Sequence, residues 1–278
     1  MANTSRLSGT PGWQPEHLRT HVAEQSDYLA KVSATTTVQQ VAAASHALLD
    51  LRPGQAVLEL GCGNGLFLPG LAEKVQPTGR VVGIDHSDAL IEEARKTADA
   101  SPYAAIIATE VADAYKLPYP DGHFDAAHCE RVLMHLEDPT AALRELARVV
   151  RRGGVVVAAE PDWAGMRFDH PDQETFQHVY RRALRARQRD VGLTLNRRFA
   201  EAGLVERRFS PIAGLSTDFA LIRMYGLQLE PAVEALLAEG ELPAERLRDV
   251  VPALERASAD GTYYAVGFMH VVSGRVPA

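Results

Sequence analysis

A strand that runs into a glycine-rich turn constrains the fold of this chain more than any other segment. Residues 57–65 read Val-Leu-Glu-Leu-Gly-Cys-Gly-Asn-Gly, and the next apolar run, Val81–Ile84, is closed by Asp85. A helix-forming stretch lies between the two runs. Glycines let the backbone approach a ligand closely, and a carboxylate at the end of the second strand can accept ribose hydroxyls. The pattern therefore predicts a site for a ribose-bearing cofactor.

The overall composition is typical of a globular protein with an acidic surface. The chain has 278 residues, of which 46% are hydrophobic, and a net charge of −7. This charge argues against a nucleic-acid partner, because a general nucleic-acid binder needs a broad positive field. No apolar run approaches the roughly 20 residues that span a bilayer, and no secretory signal is recognisable. We therefore expect a cytoplasmic protein without a membrane span.

Metal and disulfide chemistry find little support in the sequence. The two cysteines, Cys62 and Cys129, have no metal-type spacing and are expected to be free thiols. We predict no metal site, although the acidic residues between 162 and 172 leave a magnesium site open as an alternative.

Apolar runs alternate with helical patterns from residue 56 onward. Helical crossovers between short apolar strands produce a mainly parallel sheet. The predicted class is α/β, with a seven-stranded, mostly parallel sheet, an antiparallel last strand, N-terminal helices and a helical cap insertion. The predicted strands are Val57–Leu60, Val81–Asp85, Ala105–Glu110, Phe124–Cys129, Val155–Glu160, Val205–Gly214 and Thr262–Ser273.

The chain is predicted to divide into four parts. Residues 1–35 form a tail and lid helices, and residues 36–160 form the cofactor-binding core. Residues 161–204 interrupt the alternation after the fifth strand. We interpret them as a cap on the substrate side, because ligands bind at the carboxyl ends of such strands. Residues 205–278 supply the strands and helices that complete the sheet.

Further segments follow the glycine turn in a distinctive order. They are Asp113-Ala114 with Leu117-Pro118-Tyr119 after it, Phe124-Asp125 with Val132–Pro139 after it, and Arg148–Val155. With the glycine turn and Asp85, they resemble the class I S-adenosylmethionine (SAM) methyltransferases over roughly residues 35–160. The resemblance is strongest to the branch of ubiquinone, menaquinone and natural-product methyltransferases. It implies a Rossmann-like, doubly wound sheet with SAM as cofactor.

The resemblance also implies where each part of SAM binds. Asp85 accepts the ribose hydroxyls, and Asp113 accepts the adenine amino group. The methionine ammonium is held by Glu59 and by the backbone carbonyl of Cys129, while Tyr28 covers the cofactor. The implied cofactor-contacting residues are Tyr28, Glu59, Gly61, Cys62, Gly63, Asp85, His86, Asp113, Ala114 and Cys129.

Three residues near the expected substrate mouth are candidates for catalysis. Methyl transfer is an in-line displacement, and a general base is needed only when the nucleophile carries a proton. His135 and Glu160 can supply that base, and Glu130 can orient an amine or a hydroxyl. A structural role stays open for each residue: helix packing for His135, loop anchoring for Glu160, and a surface pair with Arg131 for Glu130.

Arginines cluster in an otherwise acidic chain. Residues 181–208 contain nine arginines and three acids, a net charge of +6. Arg181, Arg185 and Arg189 share one face if the helical pattern continues through them. One hypothesis is an anion-binding cap for a carboxylated or phosphorylated substrate. The alternative is a solvated face that nearby acidic helices neutralise.

The sequence thus predicts a SAM-dependent methyltransferase that acts on O, N or C of a small molecule, in natural-product metabolism. A homodimer is left open. Two alternatives remain at this point. One is an enzyme that binds SAM but catalyses another reaction, such as a cyclisation. The other is an NAD-dependent oxidoreductase, which shares the strand, glycine and acid pattern but does not explain the segment at Asp113.

Overall fold

A computed structural model of the chain describes residues 15–184, 186–224 and 227–278. The helices are α1 (Pro15–Ser33), α2 (Thr36–Leu49), α3 (Leu68–Val75), α4 (Asp88–Asp99), α5 (Pro139–Val149), α6 (Gln173–Ala183), α7 (Val191–Glu201), α8 (Phe219–Met224), α9 (Leu229–Glu239) and α10 (Ala244–Ala259). The strands are β1 (Ala56–Leu60), β2 (Arg80–Asp85), β3 (Ile107–Val111), β4 (Phe124–Glu130), β5 (Val150–Pro161), β6 (Arg167–Phe168), β7 (Val205–Ser216) and β8 (Ala265–Arg275).

The strands form one twisted, mostly parallel sheet. β3, β2, β1, β4 and β5 lie side by side in that order, and β8 pairs antiparallel with β5. β7 occupies the other edge of β8. The short β6 pairs with Val266 and Ala265, beyond the part of β8 that β5 covers, so it prolongs the edge occupied by β5. The described sheet therefore has eight strands, one more than predicted, because the two-residue β6 is added beside β8. The mostly parallel order and the antiparallel last strand confirm the predicted α/β class.

Apolar side chains on both faces of the central strands build the core. Leu58 points to the face that α5 and α7 cover, and the neighbouring Val57 points to the face under α2 and α3. Strands buried on both faces need such near-continuous apolar runs, and this is why periodicity located them well.

A separate apolar cluster lies in the cap. It joins α6 to α8, α9 and α10 through side chains such as Phe176, Tyr180 and Leu247. In contrast, α7 packs on the sheet through Leu195 and Phe199. The packing therefore does not follow the predicted boundary at residue 204: α7 belongs to the sheet layers, and helices from beyond β7 join the cap.

Helical patterns cover residues 171–190 and 220–239 of the sequence, and the structure follows them only in part. The helical pattern over 171–190 ends at Ala183, and the pattern over 220–239 is divided between α8 and α9. Leu184 has φ −66° and ψ 120°, an extended conformation that stops α6. Farther along the chain, the N–H of Gln188 donates to the carbonyl of Met134 in the loop after β4.

The N-terminal helix α1 lies over the glycine turn. Arg19 pairs with Asp88 at the start of α4 (3.1 Å between Nη2 and Oδ2). The Asn64 side chain donates to the hydroxyl of Ser26 (2.9 Å). These contacts place α1 as a cover on the carboxyl edge of the sheet.

Candidate functional site

The turn after β1 is tight, and two of its glycines are required by its geometry. Gly61 has φ +70°, and an added Cβ would lie 2.3 Å from a methyl carbon of Val132. Gly65 has φ +80°, and an added Cβ would lie 2.9 Å from the Cα of Ala94. Positive φ and close backbone approach both favour glycine. The N–H groups of Gly61 and Cys62 donate to the carbonyl of Ile84 (2.7 and 2.9 Å), which holds the turn against the end of β2.

Asp85 is oriented by the backbone around it. Its Oδ2 accepts the N–H of Gly63 (3.1 Å), and its Oδ1 accepts the N–H of Ser87 (3.0 Å). The Nδ1 of His86 lies 3.1 Å from Oδ1. The residue is 7% exposed and faces a cavity, so its carboxylate is preorganised to accept further donors from a ligand.

A cavity of about 810 Å³ lies at the carboxyl ends of the strands. This volume is within the range of about 300–1,000 Å³ that small-molecule sites occupy. Most of the predicted site residues line it: Tyr28, Glu59, Gly61, Cys62, Gly63, Asp85, His86, Asp113, Ala114, Glu130 and His135. The remaining two, Cys129 and Glu160, are not among the lining residues.

The position of Cys129 differs from the expected strand end, because β4 is longer than the sequence predicts. The strand continues one residue beyond the predicted end, to Glu130, so Cys129 lies between β1 and β5 and is not exposed. Burial raises the pKa of its thiol well above the ordinary value. Glu130 therefore occupies the strand-end position that had been assigned to Cys129.

Glu160 takes the structural role that the sequence left open. Its Oε1 accepts the N–H groups of Val132 (2.8 Å) and Leu133 (2.6 Å), and its Oε2 accepts that of Met134 (3.3 Å). The side chain is fully buried. Burial raises its pKa to about 8, against the three N–H donors, which lower it. The residue therefore anchors the loop after β4.

Glu59 and His128 are cross-strand neighbours that form a buried pair. The His128 Nδ1 lies 2.7 Å from a carboxylate oxygen of Glu59, and both side chains are almost completely buried. Burial opposes the charged imidazole, but Glu59, Glu130 and Glu160 outweigh it and raise the pKa of His128. Glu59 thus lines the cavity while His128 holds one of its two carboxylate oxygens.

Glu130 and Arg131 form a buried pair, not the surface pair considered from the sequence. The Arg131 Nε lies 3.2 Å from the Glu130 Oε1, and the two side chains are 16% and 3% exposed. Burial raises the pKa of Glu130, although Arg131 and His128 act in the opposite direction. Among the described residues, neither carboxylate oxygen of Glu130 has a hydrogen-bond partner. The pair therefore places a carboxyl group and a guanidinium side by side in the wall of the cavity.

His135 lies on the cavity wall in a short 3-10 turn, residues 133–135. Burial lowers its pKa to about 4, and the nearby His86 and Arg131 act in the same direction. Its imidazole is therefore neutral at pH 7, the form that can accept a proton.

His135→Asn is expected to remove part of the acid sensitivity of the fold. The folded-state pKa of about 4 lies below the ordinary 6.5, so the unfolded chain takes up this proton first as pH falls. Between pH 7 and pH 5 the wild type should lose about 2 kcal/mol more unfolding free energy than the variant. Urea denaturation at both pH values measures this difference. The exposed His178→Asn serves as the control, and equal losses in wild type and His135→Asn would contradict the expectation.

Tyr115 is a cavity residue that the sequence reasoning missed. Its hydroxyl accepts the N–H groups of Glu137 (2.9 Å) and Asp138 (3.0 Å), which joins the loop after β3 to the loop after β4. Its place directly after Asp113-Ala114 was a usable signal. The apolar wall had no such signal, because its members are far apart in the chain: Met134, Trp163, Met166, Leu215, Leu221, Ile222 and Phe268.

The arginine cluster is arranged differently from the hypothesis. Arg185 lies outside the described residues, and Arg181 is exposed and away from the cavity. Because α6 ends at Ala183, Arg181 and Arg189 do not share a helical face. Among the arginines of this segment that the structure describes, Arg187 lines the cavity.

The acidic residues after β5 are engaged within the protein. Asp162 accepts the N–H of Gly165 (3.1 Å), and Asp172 pairs with Arg246 (2.6 Å). In the part of the chain that the structure describes, no three His, Cys, Asp or Glu side chains gather into a group that could hold a metal. None of the described helices is both long enough and apolar enough to cross a bilayer.

Comparison with known sequences identifies the core. A family model described as a methyltransferase domain matches residues 58–158. An uncharacterized 37.1 kDa protein in transposon TN4556 of Streptomyces fradiae is 34% identical over 254 residues, which are 90% of this chain and 71% of that protein. The demethylmenaquinone methyltransferase of Symbiobacterium thermophilum is 29% identical over 168 residues, which are 57% of this chain and 67% of that protein.

Solved structures agree on the architecture. The YcgJ protein from Bacillus subtilis matches with a TM-score of 0.59 at 17% identity, over 86% of this chain and 99% of that protein. At this identity the likeness shows the fold. The glycine turn, the oriented Asp85 and the matched methyltransferase domain agree with this fold. The chain belongs to the class I SAM-dependent methyltransferases.

Proposed function

We propose that this methyltransferase binds SAM along the carboxyl edge of β1, β2 and β3 and methylates a small molecule held in the apolar part of the same cavity. The observation that carries the proposal is the Asp85 carboxylate, which two backbone N–H groups orient while it faces the cavity. A carboxylate held in this way is suited to the two hydroxyls of a ribose.

The other lining residues fit the rest of the cofactor. Gly61 and Gly63 line the cavity beside Glu59, and because they carry no side chain the methionine half can lie against their backbone. Glu59 presents a carboxylate suited to an ammonium group, and Asp113 is placed for the adenine amino group, with its Oδ1 held by the N–H of Tyr115 (2.9 Å). Tyr28, on the covering helix α1, is placed to close the site.

When bound, SAM supplies a methyl group activated by its sulfonium. The protein's part is to position the acceptor and to exclude water. Helix α1 and the apolar wall serve the second purpose. If the acceptor loses a proton, the neutral His135 and the buried Glu130 are the two proposed proton acceptors, since both residues line the cavity.

The cavity also supports a small, largely apolar acceptor. Its walls beyond the nucleoside end are formed mainly by apolar side chains, and the net charge of −7 disfavours nucleic acid. Relatives named as demethylmenaquinone and 27-O-demethylrifamycin SV methyltransferases support a small-molecule substrate, and the second name favours specialised metabolism. We place the enzyme in the cytoplasm and leave a homodimer open.

Thermal-shift titration with SAM, S-adenosylhomocysteine and NAD tests the cofactor. A ligand at about 100 times its dissociation constant stabilises the folded state by about 2.7 kcal/mol. We expect SAM and S-adenosylhomocysteine to raise the melting temperature and NAD to leave it unchanged. A shift with NAD alone would support an oxidoreductase. With an acceptor found, a product heavier by one methyl group and equimolar S-adenosylhomocysteine would separate methyl transfer from cyclisation.

A further inference from the structure

Arg131 follows β4 directly and lines the cavity. We infer that its guanidinium, held beside Glu130, binds an anionic group of the methyl acceptor, so that the acceptor carries a carboxylate or phosphate on a largely apolar body. This inference rests on the proposed function and specifies its substrate class.

The backbone at Arg131 is held in an unusual conformation. Its φ is +56°, in the left-handed region that residues with a Cβ rarely adopt. Hydrogen bonds fix the chain on both sides of its Cα. The N–H of Arg131 donates to the carbonyl of Ala159 on β5 (2.9 Å), and the N–H of Val132 donates to Glu160 (2.8 Å). Strained residues that the surrounding structure retains are concentrated at functional sites.

Most hydrogen-bond donors of the Arg131 guanidinium have no partner in the protein. The ion pair with Glu130 involves the Nε atom, which is enclosed and lies 3.2 Å from the carboxylate without forming a hydrogen bond. Nη1 and Nη2 donate no hydrogen bond to any residue that the structure describes, and unlike Nε neither is fully enclosed. These two nitrogens carry all but one of the five N–H groups of a guanidinium. Arg131 therefore presents unused donors at the cavity wall.

The pair presents its positive member to a ligand. The Arg131 side chain is 16% exposed and that of Glu130 only 3%. Burial raises the pKa of Glu130, which favours its neutral form and leaves the guanidinium charge less compensated. An anion can bind through Nη1 and Nη2 while Glu130 keeps its place beside Nε.

No other acidic side chain among the described residues forms an ion pair with Arg131. The remaining acidic residues of the described cavity wall have their own partners within the protein. They are Glu59, Asp85, Asp113, Glu137 and Asp162. An anionic ligand at Arg131 consequently displaces none of them.

The position of Arg131 in the sheet places it on the acceptor side. Its N–H is joined to β5, whereas the proposed ribose acceptor, Asp85, ends β2 on the other side of β1. The same cavity is lined by Met134, Trp163 and Met166, which offer apolar and aromatic contact. A guanidinium binds carboxylates and phosphates with two parallel hydrogen bonds. A molecule with an apolar ring or chain and one anionic group fits both features.

The test compares acids with their neutral partners on the full chain saturated with S-adenosylhomocysteine. The probes are 3-hydroxy-2-naphthoate and 4-hydroxycinnamate, each beside its methyl ester, and 1-naphthyl phosphate beside 1-naphthol. We expect at least one anion to bind the wild type about tenfold more tightly than its neutral partner. The carboxylate and phosphate arms show which anion is preferred.

Variants assign the preference to one side chain. Arg131→Gln should bring the affinity for the anion down to that for its neutral partner, and Arg131→Lys should keep an intermediate preference because it lacks the planar fork. The double variant Glu130→Gln/Arg131→Gln leaves no unpaired buried carboxylate and should also lose the preference, even if Arg131→Gln alone does not fold. Arg181→Gln, an exposed position away from the cavity, is the matched control and should behave as wild type.

A second titration excludes the carboxylate of the cofactor as the anion that Arg131 binds. S-adenosylhomocysteine and its decarboxylated analogue, S-adenosyl-3-thiopropylamine, are titrated into wild type and Arg131→Gln. We expect the variant to leave the ratio of the two affinities unchanged. A loss confined to S-adenosylhomocysteine would assign Arg131 to the cofactor and overturn the inference about the acceptor.

The inference is also overturned if no anion in the panel binds the wild type more tightly than its neutral partner, including the case in which none binds, or if the folded Arg131 variants without charge keep the preference. Binding of S-adenosylhomocysteine to wild type without any anion preference removes the subsite but leaves the proposed function. Absence of that binding removes the proposed function itself.

Discussion

Asp85→Ala is expected to weaken the binding of SAM and S-adenosylhomocysteine at least about 100-fold in calorimetric titration. Each hydrogen bond to a charged acceptor contributes about 1.5–3 kcal/mol, and the variant loses two of them to the ribose. The N–H groups of Gly63 and Ser87 hold the carboxylate in position, and alanine at this site provides no acceptor for them or for the ribose. The effect on affinity should therefore exceed that of any other single change at the nucleoside end.

Two variants separate this effect from damage to the turn. Asp85→Asn keeps the shape and one acceptor, so its loss should be smaller, on the order of tenfold. Asp121→Ala removes a carboxylate that is 83% exposed and should leave the affinity unchanged. Melting temperatures of all variants check the fold. Binding by a folded Asp85→Ala within threefold of wild type would show that another residue holds the ribose.

Glu160→Ala is expected to lower the free energy of unfolding by about 3–5 kcal/mol. The change leaves three backbone N–H groups, those of Val132, Leu133 and Met134, without their acceptor. A buried donor that loses its partner costs about 1–3 kcal/mol. Urea denaturation measures the loss, and Glu234→Ala, on the exposed face of α9, should change stability by less than about 0.5 kcal/mol. An equal, small effect of both variants would contradict the anchoring role.

Glu160 also makes the free energy of unfolding depend on pH. Its folded-state pKa of about 8 lies above the ordinary 4.5, so the folded chain retains this proton where the unfolded chain has released it. The wild type should therefore lose stability as pH rises from about 5 to 8. Glu160→Gln carries no charge and should lack this component. If the free energy of unfolding changed with pH in the same way for both proteins, the Glu160 carboxylate would already be ionised in the folded protein, and the expectation would be contradicted.

The cofactor half of the site was accessible from the sequence because its determinants are local. A glycine turn follows β1, and Asp85 closes β2, so the order of residues along the chain already defines neighbours in a parallel sheet. The apolar runs predicted seven of the eight strands for the same reason, since central strands buried on both faces have little else in them.

The ends of strands were predicted less well. A difference of one residue puts Glu130, and not Cys129, at the end of β4. Cys129 was expected to end β4, but pairing with β5 continues to Glu130. An acidic residue normally signals the end of a buried strand, and here it is accommodated by Arg131. The sequence shows Glu130 next to Arg131, but it does not show that their side chains pair at 3.2 Å inside the protein.

By itself, the sequence determined the α/β sheet, the methyltransferase resemblance and the residues expected to meet the nucleoside, because periodicity and contiguous motifs encode all three. Only the tertiary structure decided that Glu160 anchors a loop and that Arg187, not Arg181, reaches the cavity. It also decided which apolar side chains from β7, β8, α8 and the cap form the far wall. The physical reason is that these roles depend on contacts between segments far apart in the chain, whose packing overrides local helical pattern and leaves no local signal to read.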